Sequence, residues 1–241
     1  MNLSIFNHLL ELRIRLYYCI LYFILSFIVI YYYSEEIIYI LSNPLNLASK
    51  NLASFIYTDI TEVFTTYIKL SFFLSLYFSF PIIVYQLWAF LVPGLYKYEK
   101  HNLAIFFILS ILFFFIGTLL AYKIILPLAC KFFLSFEVID KNLFFNLHLE
   151  AKINEYINLI LNILFLFGLS FQFPIYLVLF LKLNLLKLDW LITKRNYFYV
   201  IAFIIAALIS PPDVFSQILI AIPLILFYEI TIFIYLLFQK Y

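Results

Sequence analysis

Six stretches of the chain are almost free of charge: residues 16–33, 70–92, 103–122, 156–181, 197–209 and 214–238. A helix that crosses a bilayer needs about 20 apolar residues at about 1.5 Å each. Five of the stretches reach or approach that length. Polar and helix-breaking residues interrupt them at few points: Pro81 and Gln86 in the second, Asn158, Asn162, Gln172 and Pro174 in the fourth, Pro223 and Glu229 in the sixth. The fifth has only 13 residues, about 20 Å of helix against a hydrocarbon core of about 30 Å. Four residues, Ser210-Pro211-Pro212-Asp213, join it to the sixth. Pro211 and Pro212 are expected to stop the fifth helix and Asp213 to cap the sixth, giving a tight hairpin. A span this short must thin the bilayer or let its polar flanks, such as Lys194 and Asn196, reach toward water. The pattern predicts an all-α, polytopic membrane protein. It has six spans, a single integral membrane domain over residues 1–241, and both termini on one side.

Composition strengthens that reading. Of 241 residues, 67% are hydrophobic and 12% charged, where a soluble domain has about 45–50% and about 25%. A soluble fold of this size cannot hide so much apolar surface. Disorder, a coiled coil and a soluble enzyme are excluded. The three glycines argue against a glycine-rich nucleotide loop. Cys19 and Cys130 stand far apart in apolar surroundings, with no metal-type spacing. His8, His101 and His148 fall in polar connecting segments, so no pair of mid-membrane histidines offers to hold a haem. Phe (31) and Tyr (21) are abundant, and Asn (13) outnumbers Ala (11), which points to AT-rich coding, as in many organelle genomes.

The placement of charge orients the spans. Residues 1–15, 93–102, 182–196 and 239–241 carry nine Lys or Arg in 43 positions; residues 34–69, 123–155 and 210–213 carry six in 73. By the positive-inside rule the first set is expected on the cytoplasmic, matrix or stromal side. The first span is not read as a cleaved signal peptide, because Ser34-Glu35-Glu36 follows it without a small-x-small site. No Arg/Ser-rich transit sequence precedes it, which suits synthesis inside an organelle.

Three acids fall on the basic side, and two of them draw attention. Glu11 lies in His8-Leu9-Leu10-Glu11-Leu12-Arg13-Ile14-Arg15, and Glu99 in Pro93-Gly94-Leu95-Tyr96-Lys97-Tyr98-Glu99-Lys100. A pair of carboxylates at a membrane face suits a cationic ligand, arginine above all, because its fork matches a carboxylate. Local pairing is the alternative: Glu11 with Arg15 at i,i+4, and Glu99 with Lys97 or Lys100. Residue identities alone leave the two readings open. Glu229 is the one acid well inside a span, a functional candidate by its cost, or else a group reaching out from the helix end. Gln172 and Gln217 are intramembrane amides suited to hydrogen bonding between helices, within this chain or to a partner. No metal cluster, phosphate loop or Ser/His/Asp set suggests catalysis.

These motifs also carry a resemblance. His8-Leu9-x-Glu11-Leu12-Arg13-x-Arg15, Gln86-x-Trp88-x-Phe90-x-x-Pro93-Gly94-Leu95-Tyr96-x-x-Glu99-Lys100, Phe167-Gly168-x-x-Phe171-Gln172-x-Pro174 and Pro211-Pro212-Asp213-x-Phe215-Ser216-Gln217, followed by Ile222-Pro223 and Tyr228-Glu229, occur in order along the six spans. In this the chain resembles the TatC family, the multispanning receptor subunit of the twin-arginine protein translocase. The resemblance implies a concave arrangement of six helices. It implies transport of folded proteins driven by the proton-motive force, with no ATP, no cofactor and no enzymatic activity. Glu11 and Glu99, with Arg13, would bind the paired arginines of a signal peptide. Gln217 and Glu229, in the last hairpin, would dock single-span partners of the TatA and TatB type. Pro44, Pro93, Gly94, Gln172, Pro211, Pro212 and Asp213 would be structural. Homo-oligomers in the lipid bilayer are implied, and nucleic acid is not a partner. Where this chain has Gln172 the family often has glutamate, so a charge-based role there does not carry over. The Phe/Tyr richness suggests an organelle-encoded member in the mitochondrial inner membrane, with the bacterial plasma membrane and the thylakoid as alternatives. Two other classes fit less well. A proton-coupled carrier should show internal repeats, and a structural subunit of a respiratory complex would not explain the acids on the basic face.

Overall fold

The computed structural model describes residues 2–49, 55–91, 97–137, 150–182, 186–209 and 214–239. Ten α-helices are found among them: α1 (Asn2–Tyr32), α2 (Ser34–Ala48), α3 (Glu62–Leu91), α4 (Lys97–Leu120), α5 (Leu126–Leu134), α6 (Ile153–Ser170), α7 (Phe173–Lys182), α8 (Leu188–Thr193), α9 (Arg195–Ile209) and α10 (Val214–Gln239). Two short strands, β1 (Phe55–Ile56) and β2 (Ala151–Lys152), pair in parallel, Phe55 beside Ala151 and Ile56 beside Lys152. Five segments are long and apolar enough to cross a membrane: Leu10–Tyr32, Glu62–Phe90, Ala104–Leu134, Ile153–Lys182 and Ile220–Leu237. A sixth, Arg195–Ala207, is apolar but shorter. The chain is an integral membrane protein of the all-α class, and the apolar helix at Arg195–Ala207 is shorter than the other five.

The residues form two compact units, 1–35 with 67–112, and 36–66 with 113–241. In the first, α1 keeps most of its apolar side chains on the surface, among them Ile20, Ile24 and Ile28. In a bilayer such a surface faces lipid, which is as apolar as the side chains themselves. Along α3, Ser71, Ser75 and Ser79 are fully buried at four-residue spacing. Small residues in a row allow close approach of neighbouring backbone. Ser71 Oγ donates to the Tyr67 carbonyl at 2.7 Å and Ser75 Oγ to the Phe72 carbonyl at 2.8 Å.

In the second unit, two departures from the sequence expectation have clear causes. Residues 34–69 read as a polar connection, yet α2 forms there with Pro44 inside it. Proline cannot donate to the carbonyl four residues back, that of Ile40. Tyr122 Oη donates to it instead, at 2.6 Å, and Tyr156 Oη donates to the next carbonyl, Leu41, at 3.1 Å. Residues 123–155 also read as a connection, but helix continues past residue 122. It passes through a π-helical turn at Ala121–Ile125, with Pro127 in the first turn of α5. Lys123 and Lys131 marked the end of the apolar run without ending the helix. At the start of α3, Glu62 reaches back to its own entry: Oε2 accepts from the Thr58 backbone N–H at 2.7 Å and from the Asp59 N–H at 3.4 Å.

Close backbone approach sets the core of this unit. A Cβ placed on Gly117 would lie 2.7 Å from Phe171 Cγ and 2.8 Å from the Phe167 carbonyl oxygen. One placed on Gly168 would lie 2.7 Å from the Phe114 ring. Glycine is required because the crossing leaves no room for a side chain. The chain then breaks at Phe171-Gln172, where Pro174 withholds an N–H and the Gln172 carbonyl accepts from Ile175 and Tyr176, both at 3.1 Å. Gln172 is buried at this break. Helices α7, α8 and α10 meet around Leu177, Leu181, Leu188, Leu191, Tyr228 and Ile232. There the Tyr228 ring stacks on Phe198 at 4.0 Å, and its hydroxyl donates to the Leu191 carbonyl at 2.6 Å. Ala202, Ala206 and Ala221 are buried where α9 and α10 pack as a hairpin.

Candidate functional site

Two grooves, one in each unit, hold some of the polar side chains singled out above: Glu11 and Gln86 in one, Gln217 in the other. The first lies at the N-terminal end of α1. It has a volume of about 570 Å³ and is lined by Leu10, Glu11, Ile14, Arg15, Tyr18, Tyr85 and Gln86. Glu11 and Arg15 stand one helical turn apart, so their side chains share a face of α1. Arg15 Nη2 donates to Glu11 Oε1 at 2.6 Å and Nε donates to the same oxygen at 3.1 Å. Arg15 Nη1 donates to Gln86 Oε1 on α3, at 3.1 Å. The other carboxylate oxygen, Glu11 Oε2, is 3.6 Å from His8 Nδ1. The His8 ring in turn stacks on Phe90 at 4.2 Å and 16°.

The local pairing of Glu11 with Arg15 is therefore formed, and the carboxylate also lines an open groove. Arg13 is on the exposed face of α1. Glu99 falls in the first turn of α4, and its side chain lies outside the described residues, as do Pro93 and Gly94. Arg15 and Gln86 join this site without having been marked as site residues from the sequence. The available signal was a polar residue, Gln86, inside the otherwise apolar second run.

The second groove, about 460 Å³, is formed by Tyr199, Val200, Phe203, Ile204, Ala207 and Gln217 of the α9–α10 hairpin. Gln217 Nε2 donates to the Phe203 carbonyl at 3.2 Å, one bond across the hairpin. Glu229 is not solitary. Tyr199 Oη donates to its Oε1 at 2.6 Å, and Arg195 Nη2 lies 3.5 Å from its Oε2. The acid in the sixth span thus holds two side chains of α9, and one of them, Tyr199, is a wall of the groove. Pro211, Pro212 and Asp213, which lie between α9 and α10 in the sequence, are outside the described residues. No group of three or more His, Cys, Asp or Glu placed to hold a metal occurs among the described residues.

The comparisons with known proteins agree with this architecture. Residues 7–223 match the family model described as Sec-independent protein translocase protein (TatC). The tatC-like protein ymf16 of Reclinomonas americana is 42% identical over all of this chain and 90% of its own length. The Sec-independent protein translocase protein TatC of Rickettsia prowazekii is 40% identical over 95% of this chain and 90% of its own. A crystal structure of the twin-arginine translocase receptor TatC in DDM aligns with a TM-score of 0.80 and 38% identity, covering 94% of this chain and 98% of that one. The chain belongs to the TatC family of Sec-independent protein translocase proteins.

Proposed function

We propose that this chain is a receptor subunit that binds twin-arginine signal peptides of folded proteins in the groove at the start of α1. The observation that carries the reading is Glu11, a carboxylate set in a groove of about 570 Å³ whose other walls include Leu10, Ile14, Tyr18 and Tyr85. A signal peptide offers the matching chemistry, guanidinium groups followed by an apolar stretch. Charge-assisted bonds to arginine are the strong ones, and they are stronger still where the surroundings are partly apolar. Glu99 supplies the second carboxylate and Arg13 flanks the first. The N-terminus and the groove face the cytoplasmic or matrix side, as the excess of Lys and Arg in the connecting segments favours.

The α9–α10 groove receives the single span of a TatA- or TatB-type partner. Gln217 offers it an amide in lipid, and Glu229 shapes the groove by holding Tyr199. Movement of cargo draws on the proton-motive force, and several copies of the chain assemble at the translocation site. The mitochondrial inner membrane is the location that the Phe/Tyr-rich composition and the ymf16 relatives favour.

The test is binding of a labelled twin-arginine peptide to the purified chain in detergent. Glu11→Ala and Glu99→Ala are each expected to weaken it about 10- to 100-fold, the worth of one charge-assisted bond. Unchanged affinity in both variants removes the reading.

A further inference from the structure

We propose that Arg15 and Gln86 are positioning residues that fix the plane of the Glu11 carboxylate, so that it selects a guanidinium over an ammonium. The proposal rests on the signal-peptide reading of this groove. An isolated i,i+4 ion pair at a surface holds its geometry poorly. Here a third group removes that freedom. Gln86 stands 71 positions away on α3 and accepts from Arg15 Nη1 at 3.1 Å. The Arg15 guanidinium is therefore held by two helices, and only 23% of its side chain is exposed.

Both bonds from Arg15 to Glu11 fall on one oxygen, Oε1. A bidentate partner would occupy both oxygens. Among the described residues, Oε2 is left with the His8 ring nitrogen, at 3.6 Å, while Arg15 holds the carboxylate against rotation. A carboxylate locked in one plane rewards a planar, directional donor. A guanidinium has fixed N–H directions and gives up little hydration. An ammonium is compact, rotates freely and is strongly hydrated, so it gains nothing from the locked plane. Gln86 never has to touch the ligand in this scheme; it acts through Arg15.

The experiment compares a twin-arginine peptide with its twin-lysine counterpart, by fluorescence anisotropy, on the full chain in detergent. The variants are Arg15→Met, Gln86→Met, the double variant, Gln86→Glu and Glu11→Gln, each with its melting temperature recorded. Arg15→Met and Gln86→Met are each expected to narrow the arginine-over-lysine preference about 3- to 10-fold. The double variant should narrow it no further than Arg15→Met alone. Gln86→Glu keeps an acceptor for Arg15 and should keep the preference. Should Arg15→Met fail to fold, Arg15→Lys retains the charge, replaces the rigid planar fork by a freely rotating ammonium that cannot fix the carboxylate plane, and should show the same narrowing.

Multiplying losses in the double variant would mean that Gln86 touches the peptide directly, and would overturn the proposal. Tighter twin-arginine binding by Arg15→Met would make Arg15 a competitor, with the same result. An unmoved preference in every variant, with binding lost in Glu11→Gln, removes the positioning role and leaves the groove assignment standing. Undiminished binding in Glu11→Gln removes both.

Discussion

Tyr122 Oη donates to the Ile40 carbonyl at 2.6 Å, the one backbone acceptor that Pro44 cannot serve. In lipid or at its edge, an unserved carbonyl is costly, and neighbouring side chains commonly supply the missing donor. Tyr122→Phe is expected to lower stability by about 1 kcal/mol. Pro44→Ala restores a backbone N–H and should shrink that penalty. Thermal denaturation of the four combinations in detergent reads the coupling, and an equal penalty in both backgrounds would mean that the two residues act independently.

The crossing at Gly117 and Gly168 leaves no room for a methyl group. Gly168→Ala presses on a ring, Phe114, whereas Gly117→Ala presses on the Phe167 backbone carbonyl as well as on a ring. Rings yield more easily than backbone. Both variants should be destabilised by about 1–3 kcal/mol, with Gly117→Ala the worse. The folded yield on size-exclusion chromatography after mild heating orders them; the opposite order would place the steric limit elsewhere.

Glu229 is held by Arg195 and Tyr199. Both charged side chains are more than a third exposed, so the pair is screened and its net worth is about 1 kcal/mol at most. Arg195→Leu should cost about that much, and adding Glu229→Gln should recover most of it, because the uncompensated charge disappears. A double-mutant cycle on thermal stability measures the coupling. Additive losses would show that the pair contributes nothing.

At Gln217 the expected effect is on association rather than stability. Gln217→Leu removes an amide worth about 0.6–2 kcal/mol to a neighbouring helix in lipid. A disulfide between a cysteine beside Gln217 and one in the partner's span should form less readily in this variant, while signal-peptide affinity stays unchanged. Equal cross-linking with and without the amide would return Gln217 to its bond with Phe203.

The membrane class was legible because each apolar run had to be long and uncharged to face lipid, and such runs need no tertiary knowledge. Helix α2 was not legible. Glu35 and Glu36 at its start and Pro44 inside it read as a connection, and what sustains it are tyrosines 82 and 115 positions away from the carbonyls they serve. The extension through Leu134 was hidden for a similar reason, since Lys123 and Lys131 end an apolar run without ending backbone hydrogen bonding. At the candidate site, charge pattern picked out Glu11 as an acid on a basic face. It could not reveal that Arg15 is shared with Gln86. Glu229 looked solitary because its partners are brought to it only when α9 folds back on α10.

The scarcity of glycine carries a consequence of its own. Only three glycines occur in 241 residues, and the two whose surroundings are described both sit where a Cβ would overlap a neighbour. At Gly117 and Gly168, the described positions, glycine marks a point of steric exclusion. A systematic glycine-to-alanine replacement, harmless at many positions in an ordinary protein, should here find no tolerant position among these two. Designers seeking to stiffen the chain must therefore leave Gly117 and Gly168 alone.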